Sequence, residues 1–477
     1  AIARARERLG RCVRVRRALR AVFSRAMLLF SPAESPDEED AASGGQGSLL
    51  TVLMVGMARL RFPAYTVRRQ THIFPSRDAL LRYEAASHSL SEMDQAMSSN
   101  KLEDACSLYR TARAIWDEMK RSLDFSHEEA LPLHLRCMSA GWAYTRMMSR
   151  GVEILQRLQL YPEAVEQLHS LLSQQTYCIQ RRGSWWDRLA LNLQHHLKDT
   201  PKAIEAIRRG LTDPYVRTGQ RLALHQRAVR ITGMGKSVFL REEEEEAMEV
   251  EAAGGSRDGV GTTTTTTMVM CSVEELALAH YRSQDFDQGL HGEGATFCTL
   301  FGLLLWDVIF SDTVPDVFLN PYQKNPLDLY TDGFYENRRE LLDERLAQLR
   351  GATGAELQEI VVAAWTAHEG EACGLVSWER LMTLSQATSL VASLGGRLLA
   401  GVCERLAKNL RHNRGGLPDL VVWSSQTLQC KLVEVKGPND RLSQKQLLWL
   451  HELMQLGAQV EVCHVTAYGA RAARLEN

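Results

Sequence analysis

No long apolar run is present in this sequence. The longest candidate, Phe297 to Phe310, is broken by Asp307. A bilayer-crossing helix needs about 20 largely apolar residues, so no membrane-spanning helix is expected. Paired cysteines are missing too: ten cysteines are scattered without one CxxC spacing. That excludes a zinc ribbon, offers no disulfide framework, and suits a reducing compartment, cytosol or nucleus. Nor is there an excess of one charge, since 56 Lys and Arg against 58 Asp and Glu leave a net −2. Binding to a polyanion must then come from local basic patches rather than from the overall field. An initiating Met is absent as well, the chain beginning at Ala1, so a piece of a longer protein is expected.

What is present is ordinary in bulk. With 45% apolar and 24% charged residues over 477 positions, the chain has room for roughly two to four domains with real cores. Ala1 to Arg20 holds eight arginines and one glutamate. An internal start favours a DNA-facing basic helix or linker here over a mitochondrial targeting segment. Ser31 to Gly47 is acidic and loop-like, and Thr51 to Thr71, with FPAYTV, reads as strand-like and apolar. We assign 1–77 to the remnant of an N-terminal DNA-binding region and linker.

From about Asp78 to Arg230 the reading is helix after helix. Leu102 to Ala114, Ala140 to Leu160 and Glu163 to Leu172 carry apolar residues at three- and four-residue spacing. Pro162-Glu163-Ala164-Val165 echoes Pro201-Lys202-Ala203-Ile204 at 39 residues' distance, as in stacked helical hairpins of the TPR type. Arg181 to Arg230 has eleven Lys and Arg against four Asp and Glu, a local balance of +7. Arg182 and Arg188 flank Trp185 and Trp186 there. Basic residues beside exposed rings hold phosphates and stack on bases, while buried rings under a solvated basic face do neither, and composition does not separate the two. The helical TPR-like domain is assigned to 78–235.

Gly233-Met234-Gly235-Lys236-Ser237 ends like a phosphate-binding loop, but position 230 is Arg where the first glycine is required. A nucleotide loop is rejected. Residues 236–270, with five consecutive glutamates and six threonines, read as a low-complexity linker or loop. Order is expected again over 271–477. Val273–Arg282, Gly292–Phe310, Tyr335–Leu349, Ala355–His368, Ser377–Leu394, Arg397–His412 and Arg441–Leu456 read as helices, the last capped by Asp440 or Ser443. Strand-like runs fall at Leu420–Trp423, around Glu434, and at Gln459–Val465. The fold class is mainly α with a C-terminal α/β domain of restriction-endonuclease type.

The stretch GLPDLVVWSSQTLQCKLVEVKGPNDRLS, Gly416 to Ser443, is the chemical focus. Asp419 precedes one apolar run, and Glu434-Val435-Lys436 sits in the next. Alternation along a strand puts Glu434 and Lys436 on one face and Val435 on the other. If the runs pair, Asp419 and Glu434 converge beside Lys436. Two hard carboxylates suit Mg²⁺ or Mn²⁺, and a nearby ammonium orients water or offsets a developing oxyanion. This is the PD-x(n)-(D/E)-x-K pattern of phosphodiester-cleaving nucleases. Glu293, 126 residues upstream of Asp419, is either a third metal carboxylate or an inert first-turn glutamate on a helix dipole. Spacing alone leaves it open.

GLPDLVVW, KLVEVKGPNDRLSQKQ, HGEGATFCTLFGLLLWD and RGSWWDRLALNL together resemble the Fanconi-associated nucleases of the VRR-NUC family, in the PD-(D/E)XK superfamily. The resemblance runs from AVFSR near Arg20 to the VEVCHV strand and places the VRR-NUC core at about 354–467. It implies a nuclear, structure-specific DNA nuclease. Such an enzyme cuts 5′ flaps and acts as a 5′→3′ exonuclease in interstrand crosslink repair. Branched DNA and crosslink-repair proteins of the Fanconi pathway are the implied partners, and a dimer on DNA is left open. It also implies Glu293, Asp419, Glu434 and the Val435 carbonyl as metal ligands and Lys436 as the catalytic lysine, with Asp440 and Arg441 supporting the site or the DNA. Arg157 and Arg188 match a pocket for a 5′-terminal phosphate. Ser184 and Gln220 stand where the family can have Arg and His, with Arg182 and Arg221 as neighbouring substitutes. The segment between Arg230 and Met234 is shorter than the resemblance implies, and the family's zinc-finger and complete SAP-type parts are not expected here. Two readings of other classes compete: a catalytically inert DNA-binding scaffold, and a helical adaptor whose basic segment binds an acidic partner.

Overall fold

The computed structural model describes residues 16–31, 47–232, 272–378, 382–438 and 440–465. The first fifteen residues, nearly all of the acidic stretch, Gly233–Ser237 and the low-complexity run lie outside the described residues. Two helices come first, α1 (Arg17–Phe30) and α2 (Gly47–Gly56). A helical array follows: α3 (Arg77–Ser98), α4 (Leu102–Ser122), α5 (Ala140–Arg157), α6 (Tyr161–Leu172), α7 (Arg182–Leu191), α8 (Thr200–Thr212) and α9 (Thr218–Thr232). Each packs on its neighbours in sequence, as short connections between antiparallel helices require.

Helix α4 shows why these segments fold as they do. Ala105, Cys106, Tyr109, Ala112, Trp116 and Met119 form one buried stripe, the three- and four-residue recurrence of an amphipathic helix. Glu103 and Asp104 open it, and Lys120 and Arg121 close it, each sign matched to the helix dipole. The expected end at Ala114 was too early because Trp116 and Met119 continue the stripe.

The nuclease-like half contains α10 (Val273–Arg282), β1 (Gln288–His291), α11 (Gly294–Leu304), α12 (Arg339–Gly351), α13 (Gly354–His368), α14 (Leu384–Lys408), β2 (Leu420–Trp423), β3 (Cys430–Lys436), α15 (Gln444–Gln455) and β4 (Gln459–His464). The sheet order is β1-β2-β3-β4. The β1/β2 and β2/β3 pairs are antiparallel, and β3/β4 is parallel, with α15 as the crossover. Leu290, Val421, Trp423 and Leu432 face the large core built with the flanking helices. Leu420, Val422, Val433 and Val435 face the smaller core under α10, with Ala277, Tyr281 and Phe286. Both faces are covered, so β2 is buried throughout.

Several boundaries differ from expectation. Strand β1 went unread, and Gly292–Phe310 breaks at Leu305 into α11 and a single turn, Trp306–Ile309. Ser377, Trp378, Met382 and Thr383 are not helical. The break expected between two helices is present within α14 at Gly395, whose φ of 76° is non-helical and is a conformation that glycine adopts at no steric cost. The second helix ends at Lys408 rather than His412. Helix α15 starts after Ser443 rather than at Arg441.

The largest difference concerns the residues read as strand and linker around 51–77. Beyond α2 they form an extended strap laid across the C-terminal half, with an isolated bridge between Arg61 and Glu371. Arg61 donates to the Glu369 carbonyl at 2.7 Å, and Tyr65 stacks on Phe318 with ring centroids 3.9 Å apart. The Asp316 carboxylate accepts from the Gln70 amide at 2.6 Å and from the Thr71 hydroxyl at 2.7 Å. Arg69 donates to the Leu319 carbonyl and to Leu29 of α1. The Tyr65 hydroxyl also accepts from the Gln323 amide at 2.6 Å. Tyr65→Phe removes that acceptor from a buried amide, so urea unfolding should show a loss of about 1–3 kcal/mol. An unchanged midpoint would mean the strap adds nothing to stability.

Candidate active site

The β2/β3 register builds the site. Leu420 pairs with Val433, so one step further out Asp419 stands beside Glu434. The Val435 amide donates to Asp419 Oδ2 at 2.8 Å, which locks that carboxylate against β3. Alternation then places Asp419, Glu434 and Lys436 on the face that carries Val421, Trp423 and Leu432 further along. The apolar layer thus ends in a charged edge. The sequence-level convergence of Asp419, Glu434 and Lys436 is what the structure contains.

Glu434 is wholly buried and Lys436 is 7% exposed. Lys436 Nζ donates to Glu434 Oε1 at 2.7 Å. Gln446, in the first turn of α15, donates to the same oxygen. Burial pushes the Glu434 carboxyl up to about 7, the Asp419 charge adds to the rise, and Lys436 opposes it. The other oxygen, Oε2, is buried with no hydrogen-bond partner. A buried carboxylate oxygen without a donor is costly, and a cation between Asp419 and Glu434 would remove both that cost and the repulsion. The pair therefore fits a divalent metal ion.

Glu293 is tied to this edge through its backbone. Gly292 and Glu293 both donate their amides to the Asp419 carbonyl at 3.3 Å, and Glu293 precedes α11 with φ 45° and ψ −135°. That is a strained conformation for a residue with a side chain, of the kind that clusters at functional sites. Gly294 beside it packs against the Arg414 carbonyl, where a Cβ has no room. The Glu293 side chain is exposed. Among the described residues no three His, Cys, Asp or Glu side chains form a group that could hold a metal ion. The expected trio is therefore not assembled: two carboxylates are in place, and the third hangs on their rim. Asp440 accepts from the Gly437 amide at 3.2 Å and shapes the turn after β3, while Arg441 is exposed.

The basic residues divide. Arg182 is 4% exposed and pairs with Asp213 at 2.7 Å, with a further bond to the Leu172 carbonyl. Expecting it to contact DNA was wrong, because its guanidinium is spent inside the helical core. Trp186 donates to Asp213 at 2.8 Å, Trp185 donates to Ser149 at 3.0 Å, and both rings are buried, so the tryptophans are core. Arg157, Arg188 and Arg221 are exposed. Arg157 pairs with Glu153 at 2.6 Å within its helix. Ser184 donates to the Arg181 carbonyl, and Gln220 accepts from the Arg217 amide and lies over Gly183.

Sequence reasoning missed a second cationic group where the halves meet. Arg217 pairs with Asp332, which also accepts from Asn409 at 2.8 Å, and Gly219 of α9 lies against Lys445 and Leu448 of α15. His412 is driven down to about 4 there by burial and by the charges of Lys445, Arg217 and Arg411. Gln446 was also missed. Its signal was the Ser-x-x-Gln spacing of a helix cap.

Asp213 gives a stability test. Burial alone would raise its pKa, but the bonds from Arg182 and Trp186 outweigh it and hold the carboxyl below its usual range. With the folded value depressed, the pair's stabilisation is complete above about pH 3.9 and is lost as pH falls through the folded value. Arg182→Ala should cost about 3–5 kcal/mol in chemical unfolding at neutral pH, by stranding a buried carboxylate. Arg188→Ala should leave stability unchanged. Equal effects would contradict the burial difference.

With the geometry in hand, comparison with known proteins is direct. Residues 79–232 match the family model described as Fanconi-associated nuclease 1, TPR domain, and residues 353–467 match that of the VRR-NUC domain. Fanconi-associated nuclease 1 of Danio rerio is 54% identical over 510 residues, covering 99% of this chain and 50% of that relative. The Homo sapiens protein of that name is 52% identical over 508 residues, covering 99% and 48%. The chain thus spans about half the length of the curated relatives it matches. The crystal structure of paFAN1 bound to 1nt 5′flap DNA with gap superposes with a TM-score of 0.67 at 19% identity, over 94% of this chain and 72% of that one, which shows a common fold. The helical array, the VRR-NUC sheet with its convergent motif, and this similarity along the chain all agree: the chain belongs to the Fanconi-associated nuclease family.

Proposed function

We propose that this chain is the catalytic portion of a structure-specific DNA nuclease, a 5′-flap endonuclease and 5′→3′ exonuclease acting in interstrand crosslink repair in the nucleus. The observation that carries the reading is the edge formed by Asp419, Glu434 and Lys436, with one Glu434 oxygen buried and unmatched. An inert scaffold has no need to hold two carboxylates and an ammonium at that cost. No helix among the described residues is long and apolar enough to cross a membrane.

Asp419, Glu434, Glu293 and the Val435 carbonyl would hold Mg²⁺ or Mn²⁺. When bound, such an ion lowers the pKa of a water and offsets charge on the pentacovalent phosphate. The chain's own residues do the rest. Val435 fixes Asp419 through its amide, and Glu434 holds the Lys436 ammonium, which orients the attacking water or stabilises the phosphorane. Phosphate contacts set the register of the DNA rather than read its sequence. Arg157, Arg188 and Arg221 on the helical array, Arg441 beside the site, and the Arg217, Arg411 and Lys445 group at the seam are the cations that supply them. The solved relative paFAN1, bound to 1nt 5′flap DNA with gap, supports this substrate class. Fanconi-pathway repair proteins are the proposed partners, with the DNA-bound dimer an open state.

Asp419→Ala should lower flap cleavage by about 10²–10³-fold or more while flap binding in Ca²⁺ is retained. Cleavage at the parent rate by the purified variant would refute the assignment. Arg157→Glu with Arg188→Glu should weaken flap binding and reduce its salt slope by about 2. Comparing flaps with and without a 5′-phosphate, in Mg²⁺ and in Mn²⁺, tests the end-selective part of the reading.

A further inference from the structure

We infer that Gln446 is a positioning residue for the nuclease reaction, its side-chain amide holding Glu434 and Lys436 against the start of α15. The inference rests on the proposed roles of Glu434 and Lys436. Gln446 is the third residue of α15 and completes a capping box with Ser443. Ser443 Oγ accepts from the Gln446 amide at 3.3 Å, and Gln446 Oε1 accepts from the Ser443 amide at 2.8 Å. A glutamate performs that capping equally well, as Glu275 and Glu356 do at α10 and α13. What glutamate lacks is an N–H. Gln446 uses its Nε2 to donate to Glu434 Oε1, and its Oε1 lies 3.5 Å from Lys436 Nζ.

The result is an unequal division of the Glu434 carboxylate. Oε1 receives two donors, Lys436 and Gln446, while Oε2 receives none and is fully buried. With one oxygen pinned by two donors, rotation of the carboxylate is restrained and the other oxygen is left unmatched. The pin is rigid because α15 is rigid. Trp449 and Leu453 are buried in the main core, and Trp449 Nε1 donates to the Asn413 carbonyl at 3.0 Å. The amide at position 446 thus transfers the placement of the crossover helix to the reacting groups on β3.

Two substitutions in the full chain separate positioning from capping. Gln446→Glu keeps the cap acceptor but removes the donor, and it sets a second carboxylate beside Glu434. Ser443→Ala weakens the cap and leaves the amide. If Gln446 positions the site, Gln446→Glu keeps its far-UV circular dichroism and its flap Kd in Ca²⁺, yet kcat falls about ten- to a hundredfold. Ser443→Ala then lowers the melting temperature with kcat near that of the parent. Gln446→Met serves where the glutamate variant fails to fold: Mn²⁺ binding, followed by the free-ion electron paramagnetic resonance signal, should weaken. The inference is overturned if Gln446→Glu cleaves within about twofold of the parent, if Ser443→Ala loses as much kcat, or if Gln446→Met binds Mn²⁺ like the parent. Glu434→Gln is the control. If that variant keeps cleavage, the proposed active site itself is wrong, which is a different failure.

Discussion

A fully buried glutamate beside a second carboxylate is the constraint around which the nuclease half is arranged. Removing an ionised carboxyl from water is tolerated only with close compensation, and each source of that compensation comes from a different part of the fold. Lys436 comes from the same strand, two residues on. Gln446 comes from the crossover helix, and the Val435 amide restrains the neighbouring Asp419. Strand β2 must pair in one register for Asp419 to arrive, and both sheet faces must be covered for Glu434 to be buried. The unsatisfied Glu434 oxygen marks the unfavourable energy left after these contacts, and a cation beside it would remove that cost.

On the proposed function, bond cleavage and the choice of DNA would fall to different halves. The sheet edge brings together two carboxylates and an ammonium, a set that would act on any phosphodiester. The helical array presents Arg157, Arg188 and Arg221 on its surface and contributes Arg217 to the seam. At that seam burial, together with the charges of Lys445, Arg217 and Arg411, holds the His412 pKa down to about 4, with Asp332 the opposing acid. The site and the grip are coupled through α15, which carries Gln446 toward the carboxylates and Lys445 toward the helical array.

The active motif was legible in the sequence because it depends on strand alternation and on one turn between adjacent strands, both local properties. Strand β1 was not, since its four residues, QGLH, have no apolar alternation of their own and are defined by pairing with β2. Glu293 looked like the first residue of a long helix; its positive φ arises from the backbone bond to Asp419, a contact across 126 positions. Arg182 carried the same letter as Arg188 but the opposite role. Asp213, 31 residues away, draws it into the core, and nothing in the local pattern distinguishes a buried guanidinium from a solvated one. Ser443 was legible as a cap, but its partner Gln446 was not singled out, and the bond from Gln446 to Glu434 appears only once β3 is beside α15.

The extended strap changes what counts as the nuclease domain. Tyr65, Arg69 and the backbone around Gln70 complete packing and hydrogen bonding for residues 312–323, although the whole helical array separates the two stretches in sequence. The folding unit is therefore discontinuous. In topological terms the helical repeats lie between the strap and the segment it packs on, so the chain touches the C-terminal half, leaves for the helical array, and returns. Loss or displacement of the strap would be felt on the nuclease side, far from the carboxylates, as a loosening of a surface that neither matched family segment contains.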